Sequence, residues 1–178
     1  MEINKDSLFP INIYNIDTHI DTTNMVNYIE TNINNLDLHY GNDSGGLQGG
    51  GWLIDNPLFS QLKLTLDKSI QSIFDKKSKI MDGWISICNK NDYNKIHNHP
   101  SSNPIYYDSE FISAVFYLKT NKDGGNLVIH SHQNPTNTYD YQPENGSLII
   151  FNSSTLHSVT PNLSDFSRIS FAFNIRLI

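Results

Sequence analysis

The chain has 178 residues, of which 38% are hydrophobic and 17% are charged, and its formal net charge is −6. This length suits one domain with a hydrophobic core large enough to need no disulfide for support. The acidic balance argues against nucleic acid or an anionic membrane surface as a partner, because both require a basic face.

Cysteine content and the N-terminal sequence indicate where the protein resides. Cys88 is the one cysteine, so no intrachain disulfide can form, and a reducing compartment is the simplest interpretation. The first residues show no signal-peptide pattern, and no apolar run approaches the roughly 20 residues of a membrane span. We therefore expect a cytoplasmic protein.

Two helices are predicted in the N-terminal part. The first covers residues 22–38, whose apolar residues recur on one helical face. The second begins with Asn56 as N-cap and Pro57 at the first helical position, and its apolar stripe continues to about Lys77. Between them, the segment "GNDSGGLQGGGWLIDN" has too many glycines for regular structure. It is either a mobile lid or a surface connector.

After residue 80 the sequence is typical of β-structure. Turn signals separate short runs of β-branched and aromatic residues, namely "GWISICN", "FISAVFYLK", "NLVIHSH", "GSLIIF" and "RISFAFNIRL". "NKDGGN" predicts a hairpin turn between the second and third runs. We therefore expect a single α+β, mainly β domain over residues 1–178, with a helical part (1–80) packed outside a sandwich or barrel (81–178).

Histidines dominate the candidate functional residues. His97 and His99, in "KIHNHPSS", would lie on one face of an extended segment, where they either bind one metal ion or are polar residues on a solvent-exposed edge. His130 and His132 share this spacing, and surface or structural roles are the simpler interpretation because no third ligand follows nearby. His157 differs, since it directly follows an apolar strand, where sites are often built.

An arginine stands in the last apolar run. Arg168, in "DFSRISFAFNI", either lies on the solvent face of an edge strand or points inward. If it points inward it needs a partner, and its guanidinium suits a carboxylate. Ser170 would share its face and add a hydroxyl group. For Trp84, core packing is the simpler interpretation than a place at a substrate mouth.

Taken together, five segments of the chain resemble the 2-oxoglutarate and Fe(II)-dependent oxygenases, in their prolyl-hydroxylase-like branch. These segments are "HNHP", "FISAVFYL", "DGGNLVIH", "QPENGSLIIFNSSTLHSVTP" and "RISFAFN". The resemblance covers about residues 80–176 and implies a double-stranded β-helix, or jelly roll. It also implies that His97 and His157 bind the metal. Arg168, with Ser170, would bind the far carboxylate of 2-oxoglutarate, and Tyr117 would hydrogen-bond the same molecule.

The sequence departs from the family motif at one ligand. The usual motif is H-x-D or H-x-E, whereas the third position here is His99. Either His99 binds the metal, or Asp108 or Glu110 supplies the carboxylate, or water or an anion takes the place. A three-histidine site would leave the +2 charge of the metal without an anionic protein ligand, which favours dianionic 2-oxoglutarate, and would constrain the identity of the metal less.

The resemblance implies an enzyme that uses Fe(II), 2-oxoglutarate and O2, releases succinate and CO2, and hydroxylates a C–H bond of a peptidyl residue or small metabolite. The alternative is a cupin-type metalloenzyme, such as a thiol dioxygenase, isomerase or lyase, that does not use 2-oxoglutarate. A further alternative is a non-enzymatic jelly-roll module that binds a ligand or a partner protein. The sequence does not predict the oligomeric state.

Overall fold

The structure, a computed structural model, describes residues 2–8, 11–41, 45–99 and 110–178. Twelve strands lie in these segments: β1 (Glu2–Leu8), β2 (Ile11–Asp17), β3 (His39–Tyr40), β4 (Leu47–Gly49), β5 (Ser78–Cys88), β6 (Asn94–His97), β7 (Phe111–Lys119), β8 (Leu127–His130), β9 (Thr138–Tyr141), β10 (Ser147–Asn152), β11 (His157–Val159) and β12 (Arg168–Leu177). The fold is mainly β, as predicted.

Two α-helices, α1 (Thr23–Thr31) and α2 (Ser60–Phe74), form in the N-terminal part. The first is shorter than predicted, because the chain leaves α-geometry at Asn32 and continues as a 3-10 turn, Ile33–Asn35. The second begins as predicted with Asn56, whose side chain accepts a hydrogen bond from the Leu58 backbone N–H, although its first turn, Pro57–Phe59, is a 3-10 helix. It ends at Phe74 because Asp75 takes a left-handed conformation.

The strands form two sheets. The larger has eight strands in the order β1-β2-β10-β7-β12-β5-β4-β3, and the smaller has four in the order β6-β11-β8-β9; all recorded pairs are antiparallel. This is the double-stranded β-helix that the sequence predicted. The N-terminal part, residues 1–80, contains the two predicted helices and also β1 to β4, which extend both ends of the larger sheet and were not predicted. That residues 1–178 form a single domain stays a prediction.

Side-chain alternation in the larger sheet separates a helix-covered face from a face that meets the smaller sheet. On β12, Phe171 and Phe173 pack in one core cluster with Leu62 and Leu66 of α2. Alternate residues on the same strands point the other way, and Tyr117 of β7 belongs to the second cluster, between the sheets. Because both faces are covered, these strands appear as continuous apolar runs in the sequence. The interior of the jelly roll is the second face.

The glycine-rich segment is neither a lid nor a loose connector in its described part. Residues 47–49 form β4, which pairs with β5 in the larger sheet. A Cβ atom on Gly51 would lie 1.9 Å from the Gly83 carbonyl oxygen, so the two backbones approach more closely than any side chain would allow. Residues 42–44 lie outside the described part of the chain. The glycines therefore serve close packing against β5.

The predicted "NKDGGN" turn is present, but its strands do not pair with each other. The Gly124 N–H donates to the Asn121 carbonyl, and Gly125 has a φ of +92°. The turn carries the chain from β7 in the larger sheet to β8 in the smaller one, so it is a crossing between sheets and not a hairpin. No helix in the described part of the chain is both long and apolar enough to cross a membrane.

Candidate functional site

Three of the predicted histidines meet between the sheets. His97 ends β6 and His157 begins β11, and these two residues are partners across the antiparallel pair. His99 follows two residues later, where its backbone N–H donates to the Ser153 carbonyl at 2.9 Å. One nitrogen from each of the three rings lies within 4.8 Å of the other two. Such spacing allows the three imidazoles to bind one ion.

The hydrogen bonds of the three rings leave the same nitrogen of each available. Nδ1 of His97 donates to the Lys95 carbonyl at 2.7 Å, and Nδ1 of His157 donates to the Thr155 carbonyl at 2.9 Å. Nδ1 of His99 is 2.8 Å from Oδ1 of Asn174, which accepts its proton. With each Nδ1 protonated, each Nε2 carries a free lone pair. The donor set fits a divalent metal that accepts imidazole ligands, such as iron.

Burial keeps two of these rings neutral. Desolvation, together with smaller effects of the neighbouring His97 and His99, lowers the pKa of His157 to about 3. Desolvation also lowers the pKa of His99, against the opposing effects of its hydrogen bond to Asn174 and of the nearby Asp82 charge. Only neutral imidazole binds a metal, so burial keeps both residues in the ligating form.

The carboxylate alternatives for the third position find no support among the described residues. The Glu110 carboxylate lies 3.6 Å from the guanidinium of Arg176, in a partly exposed ion pair. Asp108 lies outside the described residues. Within the described segments, the cluster with metal-ligand spacing consists of histidines alone.

Arg168 points inward and is 3% exposed. One guanidinium nitrogen donates to the Gly124 carbonyl at 3.1 Å and another contacts the Cys88 sulfur at 2.9 Å, while its Nε is buried without a partner. No carboxylate in the described part of the chain forms an ion pair with it. A buried charge in this state favours the binding of an anionic group.

One pocket joins the histidines to the arginine. Its walls include all three histidines at one end together with Arg168 and Ser170 on β12. Tyr117 also lines it, from the neighbouring strand β7, where it is the register partner of Ser170. Burial raises the pKa of the Tyr117 phenol well above its ordinary value, so the group stays protonated as a hydrogen-bond donor. The pocket therefore combines a three-histidine end, whose spacing suits a metal ion, with a cationic, donor-rich end.

Sequence reasoning missed three residues around this pocket and misjudged a fourth. Asn174 and Ser113 both contact Nδ1 of His99, and Ser113 is buried at 3.1 Å from it. Trp84 and Ser86 line the pocket from β5, so the expectation that Trp84 packs in the core was wrong. For Asn174 the sequence did contain a signal, because this residue stands six positions after Arg168 and so lies on the same face of one strand.

The other histidines lie outside the metal cluster. His130 donates through Nδ1 to the Pro135 carbonyl at 3.0 Å, and its Nε2 accepts from the Ser158 hydroxyl at 2.8 Å. Both ring nitrogens are therefore occupied, as expected for a structural histidine. His132, His19 and His39 are not buried.

Comparisons with known proteins agree with this geometry. The family model of the 2OG-Fe(II) oxygenase superfamily matches residues 84–176, more than half of the chain. No curated protein sequence matches the chain significantly. Residues 84–176 include Arg168, Ser170, Tyr117 and the three clustered histidines.

Solved structures share the fold at low identity. A Pseudomonas putida prolyl-4-hydroxylase has 17% identity, covers 92% of this chain and 91% of its own, and gives a TM-score of 0.65. A Trichoplax adhaerens prolyl hydroxylase, in complex with a hypoxia-inducible-factor peptide fragment, has 14% identity, coverages of 92% and 83%, and a TM-score of 0.70. HygX from Streptomyces hygroscopicus, with nickel, 2-oxoglutarate and hygromycin B bound, has 14% identity, coverages of 92% and 82%, and a TM-score of 0.68.

The structural likeness identifies the fold, and the family match identifies the kind of protein. Enzymes of this family use Fe(II), 2-oxoglutarate and O2, and the pocket has a fitting residue set at each end. The chain belongs to the 2OG-Fe(II) oxygenase superfamily and is a 2-oxoglutarate-dependent dioxygenase.

Proposed function

We propose that this enzyme hydroxylates a C–H bond of a peptidyl residue or small metabolite, with Fe(II) held by His97, His99 and His157 and 2-oxoglutarate held by Arg168, Ser170 and Tyr117. One observation carries the proposal. The three histidines share a single pocket with a buried arginine that has no counter-ion among the described residues. A dicarboxylate that reaches from the metal to that arginine would satisfy both ends.

Each residue has a role that follows from its contacts. The backbone carbonyls of Lys95 and Thr155 orient His97 and His157, and Asn174 orients His99. Arg168 attracts and orients one carboxylate, while the protonated Tyr117 donates to it. The bound metal, with 2-oxoglutarate and O2, supplies the oxidising chemistry, which yields succinate, CO2 and the hydroxylated product. The enclosing sheets limit the access of bulk water.

The substrate class is the broader part of the proposal. Among the structurally similar proteins, one holds a peptide fragment and another holds hygromycin B. Both a peptidyl residue and a small molecule are therefore compatible with this fold. The cupin-type alternative gains no support, because it would leave Arg168 buried without a ligand.

The test is an anaerobic titration of the metal-free protein with Fe(II) and then 2-oxoglutarate, following the visible charge-transfer band of the chelate. The parent protein should develop the band. His99→Ala should weaken or abolish it, and Arg168→Ala should shift the titration to much higher 2-oxoglutarate concentrations. His19→Ala, at an exposed histidine that lines neither the pocket nor the neighbouring cleft, is the matched control and should behave as the parent does.

The outcomes separate the alternatives. A band that survives unchanged in His99→Ala would mean that another group or water completes the metal site. Bound metal without any band in the parent protein would contradict the use of 2-oxoglutarate in this pocket, and the cupin-type alternative would then gain.

A further inference from the structure

A second cavity opens beside the metal pocket. It is a surface cleft of about 490 Å³, within the size range of binding sites for small ligands and single side chains. Strands β3, β4 and β5 contribute to its wall, together with Asn98 and His99. The close approach of Gly51 to Gly83 fixes the backbone at one side of this wall.

The cleft and the metal pocket share two residues. Trp84 and His99 line both, and their ring centroids are 5.4 Å apart. A molecule in the cleft would therefore lie against one of the three clustered histidines, outside the pocket that Arg168 lines. A substrate there would lie beside the histidine cluster while 2-oxoglutarate occupies the pocket.

The chemistry of the cleft is polar with one negative charge. Gln48, Asn98 and Asn174 offer amide groups, and His39 offers an imidazole. Asp82 carries the one carboxylate among the described residues that line it, and no lysine or arginine of the described chain forms an ion pair with Asp82.

Asp82 and Trp84 lie two positions apart on β5, and both line the cleft. A carboxylate next to an indole ring offers a cation two attractions, one by charge and one by the ring quadrupole. We infer that the cleft is the substrate site and selects a substrate bearing a cationic nitrogen, bound by Asp82 and Trp84. This inference rests on the proposed function and adds the substrate class.

The test measures binding without turnover. Protein loaded with Zn(II) and 2-oxoglutarate is titrated with the Nα-acetyl methylamides of lysine, norleucine and glutamate, and dissociation constants are obtained from ligand-observed NMR. The lysine probe should bind about tenfold more tightly than the neutral norleucine probe, which has a similar length, and the glutamate probe should bind most weakly. A pentapeptide centred on lysine distinguishes a peptide substrate from a small amine. If the pentapeptide binds more tightly than the single-residue lysine probe, the substrate is a peptide, and if it binds more weakly, the substrate is a small amine.

Variants at Asp82 test whether this side chain causes the preference for the lysine probe. Asp82→Asn should reduce the preference for the lysine probe to the part that the Trp84 ring contributes, and Asp82→Lys should favour the glutamate probe. Asp140→Asn, at an exposed carboxylate on β9, is the matched control and should retain the parent preference. Equal affinities in the parent, no binding of any probe, or a preference that is undiminished in Asp82→Asn would each overturn the inference. Failure of the proposed function is seen separately, as a missing charge-transfer band with Fe(II) and 2-oxoglutarate.

Discussion

At the scale of single residues, Arg168 shows a conflict between stability and binding. Its guanidinium is buried, and it contacts the Gly124 carbonyl and the Cys88 sulfur but no carboxylate of the described residues. Desolvation of a charge without a counter-ion destabilises a fold. We therefore interpret Arg168 as a residue that lowers the stability of the ligand-free protein and recovers the loss when a carboxylate binds.

Arg168→Met tests this interpretation. The variant should melt at a higher temperature than the parent when both are ligand-free, by about 2–8 °C, because an uncompensated buried charge is replaced by an apolar chain. Its affinity for 2-oxoglutarate should fall on the order of 100-fold. Calorimetry and the anaerobic titration measure the two effects. Arg176→Met, at the exposed pair with Glu110, should change little in either. A lower melting temperature for Arg168→Met would show that the arginine is mainly structural.

The lowered pKa of His157 predicts that the free energy of unfolding depends on pH. Its pKa in the folded protein is lowered to about 3, whereas the unfolded chain takes up the proton near the ordinary value of 6.5. Between these values the unfolded state binds more protons, so stability is intact above pH 6.5 and declines as the pH falls. The slope contributed by this one histidine is at most about 1.4 kcal/mol per pH unit.

Urea unfolding of the metal-free protein between pH 7.5 and 5 measures this slope. His157→Gln should flatten it, because glutamine has no proton to take up. His39→Gln should leave it as in the parent. An unchanged slope in His157→Gln would assign the acid sensitivity to other groups.

At the scale of elements, strand β12 organises both ends of the site. Its alternation sends Phe171 and Phe173 toward the helices, while Arg168 and Ser170 line the pocket and Asn174 contacts His99. One strand therefore sets the separation between Arg168 and the residue that contacts His99. Strand β7 supports it, because Ser113 and Tyr117 are register partners of Asn174 and Ser170.

Asn174→Leu should loosen the metal site. Without its acceptor, the Nδ1 proton of His99 keeps only the weaker contact to Ser113, and metal affinity should fall about 10- to 100-fold. Asn174→Asp should restore affinity, since a carboxylate accepts the same proton. Competition with a chromophoric chelator measures the dissociation constants. Parent-like affinity in Asn174→Leu would show that this hydrogen bond does not position the ligand.

At the scale of the whole molecule, the site exists only where the two sheets meet. His97 and His157 belong to the smaller sheet, whereas Arg168 belongs to the larger one. Ligands that contact both ends bind the folded state only, so they should stabilise it in proportion to the logarithm of their concentration.

Zn(II) and 2-oxoglutarate together should therefore raise the melting temperature more than either does alone. At about 100 times the dissociation constant, the gain is about 2.7 kcal/mol for one ligand. A chelator should reverse the effect of the metal. In Arg168→Met the contribution of 2-oxoglutarate should be lost while that of the metal remains. Equal shifts by 2-oxoglutarate in both proteins would contradict its binding across the pocket.

The sequence by itself determined the elements that local chemistry controls. Asn56 and Pro57 predicted the start of α2, and the runs beginning at Phe111 and Arg168 predicted strands with the observed bounds. The resemblance also identified the histidines that the structure brings together and the arginine that shares their pocket. These features depend on residue type and spacing along one segment, which the sequence displays directly.

Only the tertiary structure decided the features that depend on contacts between distant segments. The orientation of Arg168, the hydrogen bonds of His99 to residues 14 and 75 positions away, and the place of Trp84 at the pocket follow from how the sheets stack. Strands β3, β4, β6 and β11 have two to four residues each, too few for their periodicity to be visible. Their pairing comes from the neighbouring strands, because a short strand is stabilised by the sheet that it joins and not by its own sequence.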